Sequence, residues 1–150
     1  MVSRRELARL MGEEVCRATG LNAGARLEQV VEERGWLQLV TIEPIPGLAG
    51  LTYKGFCSIS TSGPEQQFWR RWQIAHELGV FFLHPAEGVH FWFRHYGPPY
   101  EDEACVFAWH LLVNHRTVLR MKRKGAMTSE IAARFSVPSL VVEAYLQGHR

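Results

Sequence analysis

Cysteine is scarce in this chain and unsuited to cross-linking. Cys16, Cys57 and Cys105 are odd in number, far apart and form no C-x-x-C pair. That excludes a fully paired disulfide framework or a thiolate zinc knuckle, and favours a reducing compartment. Long apolar runs are missing too: none approaches the ~20 residues that span a bilayer. The start, Met1-Val2-Ser3-Arg4-Arg5-Glu6, leads into an amphipathic pattern and not into a secretory apolar stretch. Neither sign of charge dominates. The formal net charge of +2 is too small to argue for nucleic acid or membrane by itself. There is no internal repeat, low-complexity tract or clear linker. The expectation is a cytoplasmic protein of 150 residues forming a single domain, residues 1–150, with no membrane partner.

What is present reads as helices, a small sheet, then helices, an α+β order. Ser3 and Glu6 have the spacing of a capping box, and Leu7, Leu10, Met11 and Val15 recur at helical period up to Gly20. A short helix is expected over residues 24 to 34, stopped by Gly35. Residues 36 to 42 (W-L-Q-L-V-T-I) are rich in strand formers, and residues 50 to 60 read as a hairpin or bulged strand around Lys54-Gly55. Ser62-Gly63-Pro64-Glu65 then opens a long helix whose inward face is Phe68, Trp72, Ala75, Gly79 and Phe82. Its end is expected near His84-Pro85. Residues 85 to 99 read as a loop, and a further helix is expected from about Tyr100 to Asn114, with Ala104, Phe107, Ala108, Leu111 and Leu112 inward. A basic stretch follows (Arg116, Arg120, Lys122, Arg123, Lys124). Thr128-Ser129 is then placed to cap a helix in a tail with helix-turn-helix spacing, Ile131-Ala132, Phe135, Val137 and Val142.

Within the long helix stands His76-Glu77-Leu78-Gly79-Val80. A metal-binding helix of the H-E-x-x-H type needs two histidines at i and i+4, because ~100° per residue puts them on one face about 6 Å apart along the axis. The Glu between takes a proton from metal-bound water. Here position 80 is Val, which ligates nothing. A lone His-Glu pair in a chain with seven histidines is weak evidence for chemistry. On helix spacing alone a buried structural pair is the better explanation.

A longer set of residues changes the balance. Ala75-His76-Glu77-Leu78-Gly79 is followed by Leu83-His84, and then by Glu101, Ala104, Phe107-Ala108 and Leu111-Leu112, with the helical tail behind them. Over residues 50 to 147 this resembles the ImmA/IrrE family of zincin-like metallopeptidases. There a helix of the type A-H-E-L-G-H-x-x-L-H precedes a second helix of the pattern E-x-x-A-(N/D)-x-F-A-x-x-L-L. The resemblance implies a zincin-like α+β fold with a small sheet packed on the active-site helix. It divides the chain into a core at 1–114 and a helical, helix-turn-helix-like subdomain at 115–150. It further implies that His76 is the first zinc ligand, Glu77 the catalytic base and Glu101 the third ligand. In such a site the metal polarises a scissile carbonyl while the Glu activates water.

Two departures bear on that implication. Val80 occupies the second ligand's position, and Cys105 stands where the pattern has Asn or Asp. Replacements for the imidazole are few. His84 is about 12 Å further along the helix, His110 falls on the opposite face from Glu101, and His90 and His95 lie in the expected loop. Cys105, at i+4 from Glu101, shares its face, and a thiolate binds zinc at ~2.3 Å. Small buried cysteines are also ordinary core residues. The expectation is a site that binds zinc weakly or not at all. The protein would then be a regulatory pseudo-peptidase that binds a protein, which the resemblance suggests is a helix-turn-helix repressor. Two alternatives stand beside it: an active zinc peptidase that has recruited Cys105 or a loop histidine and cleaves a protein such as a helix-turn-helix repressor, and a DNA-binding module using residues 116 to 147. The last is weakened by residues 138 to 147, which carry Glu143 and no Lys or Arg to reach bases or phosphates.

Overall fold

A computed structural model gives the fold. It describes residues 1–21, 24–42, 48–53, 56–60, 66–83, 89–93 and 103–148, with backbone alone for 40–42, 48–53, 56–60, 66 and 89–93. Two helices come first, α1 (Arg4–Thr19) and α2 (Leu27–Glu33), then strands β1 (Gln38–Ile42), β2 (Leu48–Tyr53) and β3 (Phe56–Ser60). After them run α3 (Gln66–Leu83), β4 (Val89–Phe93), α4 (Glu103–Leu112), α5 (His115–Arg123), α6 (Thr128–Phe135) and α7 (Ser139–Gly148). The strands are ordered β1-β3-β2-β4. β2 pairs antiparallel with β3 and β4, and β1 pairs parallel with β3. Helix α3 packs on β2 and β3 with one side and on α4 with another. No helix among the described residues is long and apolar enough to cross a membrane.

The core is organised around α4, whose residues Ala104 to Trp109, Leu111 and Leu112 are all buried. A helix enclosed on every side needs neighbours that come close, and glycines permit this on both flanks. A Cβ added to Gly12 of α1 would lie 2.5 Å from the Phe107 carbonyl oxygen and 3.2 Å from the His110 Cβ. One added to Gly79 of α3 would lie 3.0 Å from the Cα and carbonyl oxygen of Ala104 and from the Phe107 ring. Phe82 and Phe107 continue the α3–α4 contact, their centroids 5.9 Å apart, and Trp36 meets Phe82 edge-on at 5.1 Å. At the far end, Trp109 stacks on Tyr145 of α7 at 4.1 Å with rings nearly parallel, which joins the tail to the core.

The structure corrects several expectations. The helical period of α1 is present, and of the residues that mark it Met11 and Val15 pack half-buried against the core while Leu7 and Leu10 do not. Ala8, Gly12 and Cys16 face the core, while Leu7 and Leu10 are exposed, because close approach to α4 admits only small side chains. Helix α2 starts at Leu27, later than residue 24. Asn114 does not end α4. Its side chain accepts from the Thr117 N–H at 3.1 Å and caps α5, so the basic stretch is itself a helix, with Val118 buried and Arg116, Arg120, Lys122 and Arg123 exposed. The cap of α6 is at Met127 and not at Thr128-Ser129: the Glu130 carboxylate accepts from the Met127 N–H at 3.1 Å. His90 lies in strand β4, where a loop was expected. Three expected turns or caps, Pro44-Pro46-Gly47, Lys54-Gly55 and Ser62-Gly63-Pro64-Glu65, lie largely or wholly outside the described residues, as do His84 and His95.

Candidate functional site

Helix α3 carries the site. It is hydrophobic enough all round to be enclosed from Trp72 to Val80, and it buries three polar side chains among the apolar ones. Gln73, His76 and Glu77 are each 0% exposed. Nδ1 of His76 lies 3.5 Å from Oε1 of Glu77. Burying an ionised carboxylate alone is costly, and an imidazole at this distance can offset part of that cost. This pairing holds whether or not the residues do chemistry.

Val80, four residues after His76, is buried at 7% exposure in the same turn as Gly79. Gly79 is also the point where α3 touches α4, at Ala104, next to Cys105. The structure therefore brings Gly79, one residue before Val80, against the first turn of α4, while His76 and Glu77 are enclosed on the same helix. Cys105 forms no disulfide among the described residues and is buried within the core cluster. Glu101 precedes α4 and lies outside the described residues. Among the described residues no three His, Cys, Asp or Glu side chains are gathered to hold a metal ion.

A sequence model of the peptidase M78 family, the IrrE N-terminal-like domain, matches residues 61–147. The chain belongs to that family. Comparison with curated proteins finds no match. The matched region runs from just before α3 to the end of α7, so it contains both helices of the site and the helical tail. In this IrrE-type domain the side-chain donors of α3 and α4 decide how well zinc would be held. Zinc takes nitrogen, thiolate or carboxylate ligands, and three protein donors in a hydrolytic site. Val80 offers hydrocarbon only, so on α3 a single imidazole stands where the H-E-x-x-H motif supplies two. The described donors fall short of a zinc set.

Reasoning from the sequence missed a second polar region on the other side of α4. Arg9, Glu13, Cys16, His110, Asn114, His115 and Arg116 line a cavity of about 480 Å³ between α1, the end of α4 and the start of α5. There Arg9 donates to Glu13 at 2.8 Å, and Nδ1 of His110 lies 3.7 Å from the same carboxylate. Burial pushes the His115 imidazole below its ordinary pKa. The period of α4 had placed His110 away from Glu101; nothing in the sequence paired it with α1.

Proposed function

We propose that this IrrE-type domain is a regulatory pseudo-peptidase: a zincin-like protein whose zinc site is degraded and which acts by binding a protein partner without cutting it. The observation that carries this reading is Val80. It is buried, apolar and one helical turn from His76, at the position where the metal-binding motif requires its second imidazole. Retention of His76 and Glu77 is consistent with it, because a buried imidazole–carboxylate pair is self-stabilising. By the family's habit, the partner is a helix-turn-helix repressor. The test is metal content of protein purified without chelator, alongside zinc titration of Val80→His. Wild type is expected to carry far less than one zinc per chain, and Val80→His to gain affinity. No gain would count against the site assignment.

A second reading has one observation in its favour. Cys105 is buried and follows Ala104, the residue of α4 that Gly79 of α3 touches, and a thiolate is a good zinc ligand. On this reading the domain is a working peptidase with a substitute ligand. Stoichiometric zinc that is lost in Cys105→Ala would replace the first reading with this one.

A further inference from the structure

We infer that the cavity beside Arg71 binds a small oxoanion, the phosphate or carboxylate group of a metabolite. The cavity, about 320 Å³, lies where four segments meet: the turn after α1, the start of α2, the first half of α3 and the turn between α6 and α7. Leu21, Gly24, Arg26, Glu28, Arg71 and Ser136 are in its wall. It is far from the His76–Glu77 pair in function, and it does not depend on whether that pair binds metal.

Two consecutive arginines on α3 have opposite circumstances. Arg70 holds Glu28 through two hydrogen bonds, from Nε at 2.7 Å and from Nη2 at 3.3 Å. The acidic group in the cavity wall is therefore already matched. Arg71 is half-buried, and its enclosed Nε has no hydrogen-bond partner among the described residues. Desolvation pushes its guanidinium below the ordinary value, and the opposing effect, smaller, comes from the Cys16 thiol and from no carboxylate.

A lysine in such a place would lose its proton. Arginine cannot, so its charge stays, and the enclosed Nε–H is a donor left without its hydrogen bond among the described residues. An arginine that merely laid its stem on the surface would keep its head in water; here the Nε is enclosed. An oxoanion answers what is missing, since the guanidinium fork matches phosphate or carboxylate oxygens in pairs. Arg26, exposed at the rim, adds a second positive group, and the Ser136 hydroxyl is available as a donor. Ser136 stands in the left-handed region at φ 54°, which fixes the turn that closes this side of the cavity. The volume is at the lower end of the ~300–1,000 Å³ of small-molecule pockets, which favours a compact ligand.

The test uses the full chain at constant ionic strength, with chloride replaced stepwise by inorganic phosphate, sulfate or acetate. A saturable rise in melting temperature is expected, about 5–10 °C at a hundredfold excess over Kd. Response to phosphate and sulfate alone assigns a phosphate ester; an equal response to acetate assigns a carboxylate. Arg71→Gln should weaken binding about 10–100-fold, the range for a charged hydrogen bond. In chloride, the same variant should be at least as stable as wild type, because it removes a desolvated charge; a purely structural Arg71 would give the reverse. Arg26→Gln, on the rim, should weaken binding without affecting folding. No anion effect beyond chloride, unchanged binding in either variant, or a destabilised Arg71→Gln would overturn the inference.

Discussion

Gly12→Ala is the sharpest test of how this molecule is packed. In an isolated helix the change favours folding, since Gly is about 0.8–1.0 kcal/mol less favourable than Ala in a helix interior. Here the new methyl would start 2.5 Å from the Phe107 carbonyl oxygen, with His110 Cβ at 3.2 Å and the Leu111 nitrogen at 3.3 Å. Two of those atoms are backbone, so no side chain can turn aside, and α1 must move off α4 by most of an ångström. Overpacking of this kind costs about 1–3 kcal/mol and sometimes more. The 2.5 Å approach to a backbone atom puts this case at the upper end, about 2–3 kcal/mol, so subtracting the propensity gain leaves a net loss of about 1–2 kcal/mol. For a chain of this size that lowers the melting temperature by roughly 2–8 °C. Urea melts followed by far-ultraviolet circular dichroism would read the shift, and an unchanged m value would show that the denatured state is not its source. Stability equal to or above wild type would refute the close crossing of α1 and α4. The matching change at Gly79, whose nearest atoms are at 3.0 Å, should act in the same direction and less strongly.

The remaining predictions concern the tail and the second polar region. Burial lowers the His115 pKa below its unfolded value, so the unfolded chain binds the proton more readily. The resulting stability is complete above about pH 6.5 and is lost as pH falls through the lower folded value. Comparing denaturant midpoints between pH 8 and 5 in wild type and His115→Gln should show a shallower pH slope in the variant; identical slopes would refute it. Tyr145→Ala removes the ring stacked on Trp109 and leaves a cavity between α4 and α7. The expected loss is about 3–5 kcal/mol, as for other large aromatic truncations, read by the same denaturant melts.

The sequence made element types more legible than faces. In α3 and α4 large apolar residues mark the inward face, and Trp72, Phe107, Leu111 and Leu112, with Ala75, Ala104 and Ala108 between them, are buried as the period says. In α1 the same logic picked Met11 and Val15, which pack half-buried against the core, but also Leu7 and Leu10, which are exposed, because the demand at the crossing with α4 is for thinness. Ala8, Gly12 and Cys16 face α4 since nothing larger fits, and a hydrophobicity pattern does not weigh small residues by what they allow. Helix α5 escaped notice because its apolar stripe is reduced to the buried Val118 and the half-buried Met121, among many charges. The signal that finds it is Asn114 acting as a cap. His76 and Glu77 were legible as a pair but not as fully enclosed. Arg71 was invisible as a special residue, since only tertiary packing distinguishes it from Arg70, which holds Glu28.

Val80 connects packing with function. It sits at 7% exposure beside the closest point of α3 and α4, so its space is shaped for a branched hydrocarbon. Restoring histidine there enlarges the side chain and adds polar atoms to an enclosed place. Without metal, Val80→His is expected to lose about 1–3 kcal/mol by overpacking and further stability by burying an imidazole. If His76 and position 80 face a common metal position, zinc bound only by the folded state returns stability in proportion to the logarithm of its excess over Kd. The variant should thus be less stable than wild type in chelator and regain stability in zinc, while wild type responds weakly in both. A variant destabilised equally with and without zinc would mean that α3 is a core helix whose His-Glu pair serves packing alone.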